Sequence, residues 1–539
     1  MTSRTLTGRT RTDAVEISVP EAATADLRAR YRSAGWWSAK PIDVIAEAAL
    51  LYSEKTALVT ESESLNYEDL DAEVTRVARA LIETGVEASD RVLVVAGNDA
   101  ASLIALHALW RIGALAMVML PSAGDGQLSD IVEDMQPKLA VEPAGWQHPE
   151  ALAKATLWCE AESLRSLDSE SFEDSSGAPR LMPRDPDSPA VVIFTSGTTA
   201  RPKGVVHSMN TLVASGRNLI EATEFGEGEG LFVVSPLGTV TGLLHALIVP
   251  PLLGSSTVLV RAWQPSSALD LLLETKAALF GGPDVLLERI LDEARRRDLV
   301  DLPLQCVIVG GSMNHKELLE RAEAEFAITV LRSYGSSEAP VACATKRSEP
   351  RTSRLSDEGV PLGGVEVQIG SPDESSECWL RGPNLFLGYV DPAATSASVQ
   401  EGWFRTGDQA EFLDGRLRVF GRLKDVVIRN GLKVPIGEVD ELIASLPGVV
   451  EAAGFVRQDE NTGERLAVAL RLAPGTDVTL EGIADHLGSL GLAKWKLPEE
   501  IVLWTEPLPE TASGKIQRSA LAERVGTFER LLAPRLAEG

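Results

Sequence analysis

The sequence predicts an α/β protein with a large N-terminal domain of mostly parallel sheets covered by helices, and a smaller α+β C-terminal domain. Buried-type strands alternate with helices first, short alternating strands follow after about residue 355, and helices and strands mix after residue 424. Alternation of strand and helix is typical of a parallel sheet covered on both faces. A chain of 539 residues is too long for one core, so we expect several structural units.

The first region supplies the strand and helix pattern in order. Residues 66–81 place apolar side chains at helical spacing, and residues 91–97 form a short apolar run typical of a buried strand. A helix over 100–114 and a strand over 115–120 are predicted next. Later buried strands are predicted at 189–194, 256–260 and 305–311, with a helix from about Ser208.

The second region has a different pattern of apolar and polar residues. GVEVQIG, ECWLRG, QAEFLDGRLRVFGR and DVVIRNG are short alternating runs with glycine turns, which predict a small antiparallel barrel or sheet at about 355–420. The chain after 424 mixes helical stretches such as IGEVDELIASL with strands such as LAVALRL. This composition predicts a separate α+β unit over 424–539.

Composition excludes several classes of partner. The net charge of −27 repels phosphate backbones and anionic membranes, so we expect neither nucleic acid nor a membrane as a partner. The stretch 230–260 contains no charged side chain, but its prolines and glycines interrupt it, as in a buried core. Four scattered cysteines and the lack of a signal peptide predict reduced thiols in a cytoplasmic protein. Residues 1–30 are predicted to form a flexible tail.

One loop concentrates small polar residues. VVIFTSGTTARPKGVVHS, residues 191–208, places two glycines, several hydroxyls and a lysine between two apolar runs. Backbone N–H groups and hydroxyls in a loop between a buried strand and a helix can form an anion site. The loop is not a Walker A motif, because the glycine spacing differs and Lys203 is followed by Gly204. Its composition predicts phosphate binding, with an ordinary polar loop as the alternative.

Four further motifs support the phosphate interpretation. TSGTTARPKG at 195–204 resembles the phosphate loop of the adenylate-forming superfamily, which contains acyl-CoA synthetases, peptide-synthetase adenylation domains and luciferases. The family's other motifs follow in order, as YGSSE at 334–338, WFRTGD at 403–408, GRLKD at 421–425 and PETASGKIQR at 509–518. YRSAGWW at 31–37 and KVPIGEVD at 433–440 look most like the ligases for alicyclic and medium-chain acids, such as cyclohexanecarboxylate–CoA ligases.

The resemblance implies a reaction in two steps. A carboxylate is joined to AMP with loss of pyrophosphate, and a thiol then displaces AMP. Both first reactants are anions, so the site needs cations and dipoles at the reacting phosphate. By resemblance, Lys515 bridges the carboxylate and the α-phosphate, Glu338 binds Mg²⁺, and Ser337 contacts the α-phosphate. The implied cofactors are ATP, Mg²⁺ and coenzyme A.

The resemblance also assigns the nucleotide and acyl contacts. Tyr334 is implied to stack on adenine, Asp408 to accept both ribose hydroxyls, and Arg422 to add a donor nearby. The implied ATP or AMP contacts are Thr195, Ser196, Gly197, Thr198, Thr199, Lys203, Gly310, Gly311, Ser312, Ser333, Tyr334, Gly335, Asp408, Phe420 and Arg422. The implied acyl pocket comprises Thr239, Val240, Gly281, Gly282 and Ala339, whose small members predict space for a bulky acid.

Domain movement follows from the same resemblance. The expected N-terminal domain covers 31–423, and the C-terminal domain, 424–539, is a mobile lid that rotates about the hinge residue Lys424. Rotation withdraws Lys515 and brings in the tunnel for the thiol. Gly431 is implied to border that tunnel, where a side chain would block the pantetheine arm.

The predicted function is ATP-dependent ligation of a bulky alicyclic, terpenoid or medium-chain acid to CoA. Three alternatives stay open. The lid loop RNGLK at 429–433 departs from the subgroup's RGGEN, so the chain could catalyse one half-reaction only, most readily thioesterification, with a partner enzyme that supplies the adenylate. It could load a pantetheine carrier protein as a stand-alone adenylation enzyme. It could bind an acyl-adenylate or nucleotide without catalysis.

Overall fold

The computed structural model describes residues 23–149, 156–166, 185–195, 203–310, 316–370, 376–423, 425–430, 432–510 and 516–537. The first elements are α1 (Ala25–Ser33), α2 (Val44–Tyr52), β1 (Thr56–Val59), β2 (Ser64–Asn66), α3 (Tyr67–Glu83), β3 (Arg91–Val95), α4 (Ala100–Arg111), β4 (Leu115–Met119), α5 (Asp125–Met135), β5 (Leu139–Glu142), β6 (Leu157–Glu160) and α6 (Ala161–Arg165). The next are β7 (Pro189–Thr195), β8 (Lys203–Ser208), α7 (Met209–Thr223), β9 (Leu231–Val233), α8 (Val240–Leu243), a π-helical turn (Leu244–Ile248), α9 (Val249–Leu253), β10 (Thr257–Leu259), α10 (Pro265–Thr275), β11 (Leu279–Gly281) and α11 (Asp284–Arg296).

The second half of the chain completes the set. It contributes β12 (Cys306–Gly310), α12 (Lys316–Phe326), β13 (Thr329–Tyr334), β14 (Cys343–Ala344), α13 (Arg351–Arg354), β15 (Val360–Pro361), β16 (Glu366–Ile369), β17 (Glu377–Arg381), β18 (Gly388–Tyr389), α14 (Pro392–Ser398), β19 (Val399–Gln400), β20 (Trp403–Leu413) and β21 (Arg416–Arg422). The C-terminal elements are β22 (Val426–Arg429), β23 (Leu432–Pro435), α15 (Ile436–Ala444), β24 (Val449–Asp459), β25 (Gly463–Leu472), α16 (Leu480–Ser489), β26 (Glu500–Leu503), α17 (Arg518–Arg524), β27 (Glu529–Leu532) and α18 (Pro534–Ala537).

Two mostly parallel sheets form the body of the protein, as the sequence predicted. One has seven strands in the order β18-β8-β7-β4-β3-β5-β6, of which β7, β4, β3, β5 and β6 run parallel. The other has nine strands in the order β15-β14-β13-β12-β11-β9-β10-β1-β2, parallel from β13 to β1. Their strands are nearly continuous apolar runs, because both faces of each sheet are covered.

A shared core joins the two sheets. One apolar cluster contains Val92 of β3, Leu231 of β9 and Leu106 of α4. Every residue of α4 is buried, which is typical of a helix enclosed on all sides. α5 packs on the outer face of the seven-stranded sheet, and α10, α11 and α12 pack on the outer face of the nine-stranded one. The carboxyl ends of the parallel strands therefore remain available for a site.

The small β unit is an antiparallel sheet of five strands, one of the two forms, barrel or sheet, that the sequence predicted. Its strand order in the described residues is β16-β17-β20-β19, with β21 paired to β20, so β16 and β21 lie apart. The long β20 explains the open form, because its first half pairs with β17 and β19 and its second half with β21.

The C-terminal unit holds a six-stranded sheet of its own. The strand order is β23-β22-β25-β26-β27, with β24 paired to β25. The stretch DVVIRNG, which the sequence grouped with the small β unit, contributes β22 to this sheet instead. Val427 of β22 is fully buried opposite Val434 of β23, so its apolar partners lie in the C-terminal core.

The N-terminal prediction needs one correction. Residues 25–30 were assigned to a flexible tail, but they belong to α1, which Thr24 caps by accepting the Leu27 N–H. Tyr31 is 1% exposed, and the Trp37 indole donates to the Pro383 carbonyl at 2.8 Å. These buried aromatic anchors explain why order begins before residue 31.

Two further observations concern the described residues only. None of their helices combines the length and apolar character needed to span a bilayer. All four cysteines are free thiols, as predicted.

Candidate functional site

The predicted phosphate loop lies at the turn of a β-hairpin. β7 and β8 pair antiparallel with Thr195 opposite Lys203, so residues 196–202 connect the two strands. The predicted helix from about Ser208 is confirmed, because α7 begins at Met209, but the sequence did not predict β8, which lies between the loop and that helix. Val205–Val206 explain the extra strand, since both β-branched side chains are buried in the sheet.

Close packing fixes the start of β8. A Cβ on Gly204 would lie 2.7 Å from Cγ2 of Val390 and 2.9 Å from Cγ1 of Val192. Only glycine permits this approach. The Lys203 ammonium lies 5.2 Å from the centre of the Tyr389 ring, at cation–π distance. The fold therefore holds the predicted phosphate-binding lysine beside β18.

The turn after β13 carries Ser337 and Glu338, and neighbouring strands hold it at three points. The Tyr389 hydroxyl donates to Glu338 Oε1 at 2.7 Å, and the Phe386 N–H donates to the Glu338 carbonyl at 2.7 Å. His207 of β8 hydrogen-bonds the Ser337 carbonyl at 2.7 Å. Burial, with the Glu338 charge, raises the pKa of Tyr389 above its usual range, so the phenol remains a donor.

His207 is a site residue that the sequence analysis did not single out. Its ring is fully buried, and burial lowers its pKa to about 4, so the ring is neutral at pH 7. Because a carbonyl can only accept, we assign the proton to Nε2, which donates to Ser337, while Nδ1 accepts from Thr211 Oγ1 at 3.0 Å. The available signal was its position inside the phosphate-loop motif.

Asp408 gathers the residues assigned to adenosine. The Tyr334 hydroxyl donates to Asp408 Oδ2 at 2.6 Å, and Arg422 Nε lies 3.2 Å from Asp408 Oδ1. The Asp408 N–H donates to Thr406 Oγ1 at 3.0 Å, and that hydroxyl donates to the Cys378 carbonyl at 2.7 Å. Burial raises the pKa of Tyr334 well above its usual value, and the Asp408 charge adds to the shift. The structure thus brings Tyr334, Asp408 and Arg422 together.

A β-bulge shapes the same edge. The register between β20 and β21 shifts between Gln409 and Ala410, which leaves Phe420 as the extra residue of β21. Bulges commonly re-aim side chains next to active sites. Phe420 is half-buried and lies two residues before Arg422, so the bulge sets the direction of both predicted nucleotide contacts.

The glycines assigned to the nucleotide are close-packed positions. Gly310 pairs with Ser333 across β12 and β13, and a Cβ on Gly310 would lie 2.8 Å from Ser333 Oγ. That hydroxyl donates to the Val309 carbonyl at 3.3 Å. A Cβ on Gly335 would lie 2.6 Å from the Val341 nitrogen. A larger residue at Gly310 would push β12 away from β13, and a larger residue at Gly335 would push the turn after β13 away from Val341.

The segment assigned to the acyl pocket begins with a helix cap. Thr239 Oγ1 donates to the Pro236 carbonyl at 2.8 Å and accepts the Gly242 N–H at 3.1 Å, so this hydroxyl serves the backbone. Val240 is half-buried at the first residue of α8, and Ala339 is buried.

The glycines at the end of β11 do not leave open volume. A Cβ on Gly281 would lie 2.9 Å from Cγ of His245, and a Cβ on Gly282 would overlap Cγ2 of Val234. The expectation that these small residues enlarge the pocket is therefore wrong, because neighbouring side chains occupy the space. The Gly281 carbonyl also accepts the N–H groups of Val234 and Ser235, each at 3.0 Å.

Part of the predicted site lies outside the described residues, namely Ser196, Gly197, Thr198, Thr199, Gly311, Ser312, Lys424, Gly431 and Lys515. The residues that flank Lys515 are described. Glu510 and Ile516 form an antiparallel bridge, and Arg518 Nη2 lies 2.8 Å from the buried Asp440 Oδ2. The two ends of the segment that contains Lys515 are therefore joined to each other, and Arg518 anchors them to α15.

Glu338 is the carboxylate assigned to Mg²⁺. No cluster of three or more His, Cys, Asp or Glu side chains in the described part of the chain could hold a metal ion by itself. Mg²⁺ commonly uses one or two carboxylates together with waters and substrate phosphates. Glu338 is a single carboxylate, held by the Tyr389 hydroxyl. It therefore fits an ion that binds together with a nucleotide.

Comparison with protein families gives two matches. A family described as AMP-binding enzyme matches residues 45–390, and one described as AMP-binding enzyme C-terminal domain matches residues 438–515. The first match spans both large sheets, and the second contains β24, β25 and β26, three of the six strands of the C-terminal sheet.

Known proteins resemble about nine tenths of the chain. The medium-chain fatty-acid–CoA ligase of Escherichia coli (strain K12) is 27% identical over 527 residues, which cover 92% of this chain and 93% of the relative. A salicylyl-CoA synthase / salicylate adenylyltransferase of a Streptomyces species is 27% identical over 530 residues, or 92% and 96%. The solved structure of o-succinylbenzoate coenzyme A synthetase from Bacillus subtilis, in complex with ATP and magnesium ion, superposes with a TM-score of 0.78 at 23% identity and covers 89% of this chain and 98% of that one.

Proposed function

This chain belongs to the AMP-binding enzyme family, in its acyl-CoA synthetase branch, and we propose that it ligates a carboxylic acid to coenzyme A through an acyl-AMP intermediate. The observation that carries this proposal is the convergence of Tyr334, Asp408 and Arg422, together with Tyr389, which contacts both Glu338 and Lys203. We propose ATP, Mg²⁺ and coenzyme A as the cofactors.

The charge of each site residue determines the role that we propose for it. The Asp408 carboxylate accepts ribose hydroxyls, and the Arg422 guanidinium lies beside it as a counter-charge. Lys203 supplies positive charge for the phosphates, which lowers the repulsion between an anionic acid and an anionic nucleotide. Glu338 would hold Mg²⁺, which neutralises phosphate charge when bound. Lys515 would bridge the acid and the α-phosphate during the first step.

We propose an alicyclic, terpenoid or medium-chain acid as the substrate. The segments 31–37 and 433–440 support this choice, because they resemble that subgroup. Gly281 and Gly282 do not support this choice, because neighbouring side chains fill the space beside them. The named relatives act on chemically diverse acids, a fatty acid in one case and salicylate in another.

Rotation of the C-terminal unit about Lys424 would separate the two half-reactions. The six-stranded sheet has its own cores and begins at Val426, directly after the proposed hinge. A unit with its own core can move as a body about a short connection.

Mass spectrometry of acyl-AMP and acyl-CoA tests the proposal. The full chain is incubated with ATP, Mg²⁺, CoA and a panel of linear, aromatic, alicyclic and terpenoid acids, and in parallel with supplied acyl-adenylates and CoA alone. Acyl-CoA from free acid is the expected result. Acyl-CoA formed only from supplied adenylate would show that the chain catalyses thioesterification alone. Transfer of the acyl group from the adenylate only to a pantetheine carrier protein would show a carrier-loading enzyme.

A matched variant separates the steps. Lys515→Ala is expected to remove acyl-AMP formation and to retain conversion of a supplied adenylate, because the lysine serves the first step only. No product under any condition, with nucleotide binding intact, would overturn the ligase proposal in favour of a binding protein.

A further inference from the structure

His245 occupies an unusual position beside the assigned acyl pocket. It lies in the π-helical turn Leu244–Ile248, directly after α8. Turns of this kind are rare and often occur at functional sites. The His245 ring packs on Gly281, since a Cβ there would lie 2.9 Å from its Cγ and 3.1 Å from its Nδ1. The glycine at the end of β11 therefore makes room for this ring.

The two ring nitrogens of His245 lack a hydrogen bond of standard geometry. Both His245 nitrogens are buried, and neither has a hydrogen-bond partner among the described residues. Burial lowers the pKa of His245 to about 4, although the nearby Thr241 carbonyl opposes part of that shift, so the imidazole is neutral at pH 7. A neutral imidazole offers one N–H donor and one acceptor nitrogen. Proteins rarely bury such groups without a partner, so this pair calls for an explanation.

The position of His245 in the helix places it on the same face as Thr241. His245 follows Thr241 by one turn, and Thr241 is exposed within an otherwise buried stretch. Residues four apart share a helix face, and helical side chains lean toward the N-terminus. The His245 ring therefore leans toward the exposed end of α8, where Thr239 and Val240 are assigned to the acyl pocket.

We propose that His245 is a specificity residue that hydrogen-bonds a hydroxyl or carbonyl oxygen on the acyl group, so that the substrate is an oxygenated acid rather than a plain hydrocarbon acid. This inference rests on the proposed function, because it assumes that the segment 235–245 borders the acyl group. An uncharged ring satisfies a neutral oxygen but offers no compensating charge to a second carboxylate. The oxygen that we propose for His245 is therefore a hydroxyl or carbonyl and not a second carboxylate.

Binding of acyl-sulfamoyl adenosines, which mimic the acyl-adenylate, tests the inference without catalysis. Each acyl skeleton, cyclohexane, benzene and a medium-length chain, is compared as parent, hydroxyl and oxo forms by calorimetry. At least one oxygenated form is expected to bind the unaltered chain about 10- to 100-fold more tightly than its parent, because it pairs the buried ring. Equal affinity for every parent and its oxygenated forms would overturn the inference.

Three variants test whether a preference for oxygenated forms depends on the His245 ring. His245→Leu keeps volume but removes both nitrogens, and it should abolish the preference, because oxygenated forms lose more affinity than their parents. His245→Gln retains a donor and an acceptor and should recover part of it. Gly281→Ala places a methyl group against the ring and should reduce the preference with the histidine still present. An undiminished preference in His245→Leu, or an equal loss for parents and oxygenated forms, would overturn the assignment.

The turnover assay keeps the two proposals apart. Acyl-CoA formed from parent and oxygenated acids with equal efficiency would preserve the ligase function and overturn the role of His245. Absence of turnover from every acid would remove the ligase function, while the calorimetric comparison would still decide whether His245 recognises oxygen.

Discussion

The Tyr334 hydroxyl donates a hydrogen bond of 2.6 Å to Asp408 Oδ2, across 74 positions of sequence. This bond links the end of β13 in the nine-stranded sheet to β20 in the antiparallel sheet. Arg422 occupies the other oxygen at 3.2 Å, and the Asp408 side chain is only 11% exposed. A carboxylate has about four acceptor positions, so it can accept ribose hydroxyls while it holds both partners. The bond therefore orients Asp408 before a nucleotide arrives.

Replacement of this carboxylate should weaken nucleotide binding. Asp408→Asn keeps the shape but loses the charge that strengthens its hydrogen bonds, so we expect the Kd for ATP to rise about 10- to 100-fold. Tyr334→Phe leaves the carboxylate and removes one orienting donor, so its effect should be smaller. Calorimetric titration of both variants with ATP measures the difference. Unchanged affinity in Asp408→Asn would show that Asp408 does not contact the nucleotide.

Tyr389 should control Mg²⁺ affinity through Glu338. Its hydroxyl donates to Glu338 Oε1, and loss of such outer contacts typically costs about 10- to 100-fold in metal affinity. We expect Tyr389→Phe to raise the Kd for Mn²⁺, as a spin-active substitute for Mg²⁺, in the presence of ATP. Electron paramagnetic resonance of free Mn²⁺ gives this value directly.

A second tyrosine provides the control. Tyr67 is also buried, and its hydroxyl donates to the Ser255 carbonyl at 2.7 Å outside the site. Tyr67→Phe should leave Mn²⁺ binding unchanged. Similar losses of Mn²⁺ affinity in both variants would point to general destabilisation rather than to a contact with Glu338.

Acidification should destabilise the fold from about pH 6.5 downward. Burial lowers the pKa of His107 to about 3 and those of His207 and His245 to about 4. Each group stays neutral when folded but binds a proton when unfolded, so its contribution is complete above pH 6.5 and is lost as the pH falls toward the folded pKa. Each should lower the free energy of unfolding by up to about 1.4 kcal/mol per pH unit in that window. Urea denaturation between pH 7 and 5 measures the slope.

His107 offers the cleanest check because it lies away from the nucleotide residues, with its ring edge-on to Trp110 at a centroid distance of 5.3 Å. His107→Gln cannot titrate and should flatten the slope. An unchanged pH dependence in that variant would contradict the assignment of a neutral buried imidazole.

Arg518 should support the first half-reaction through the segment that contains Lys515. It binds Asp440 and the Gly454 carbonyl only three residues after the lysine. Arg518→Gln should slow acyl-AMP formation about tenfold or more, because it loosens a charge-assisted anchor. Conversion of a supplied acyl-adenylate should change less.

The same helix provides a matched control. Arg524 also lies in α17, but its partner Glu506 is exposed. Arg524→Gln should leave both steps unchanged. Equal effects of the two variants on both steps would indicate a general role of α17 in folding.

The sequence predicted the parallel sheets well, because strands such as 91–95 and 115–119 are short apolar runs that only a covered sheet accommodates. It missed β8, because Val205–Val206 form too short a run to distinguish a returning strand from the start of a helix. It also misplaced the volume at Gly281. The ring that fills this space comes from His245, and no local pattern reveals that distant contact.

The site was predicted by motif rather than by geometry. Tyr334 and Asp408 were each assigned to the nucleotide, but the hydrogen bond between them depends on how two sheets pack. Tyr389 and His207 went unassigned because their roles consist of contacts to Glu338 and Ser337, which lie far away in sequence. Pairings of this kind become visible only when the strands have been placed.

Because β18 pairs with β8, the seven-stranded sheet can be completed only late in synthesis. β18 forms the outer strand beside the phosphate hairpin, yet it is made long after Ser208. At about 5–20 residues per second, the intervening roughly 180 residues take on the order of 10–40 s to translate. During that time the edge of β8 has unpaired backbone groups, which can pair with other chains. β8 therefore gains its second neighbouring strand only after residues 388–389 have been made, however fast its hairpin with β7 folds.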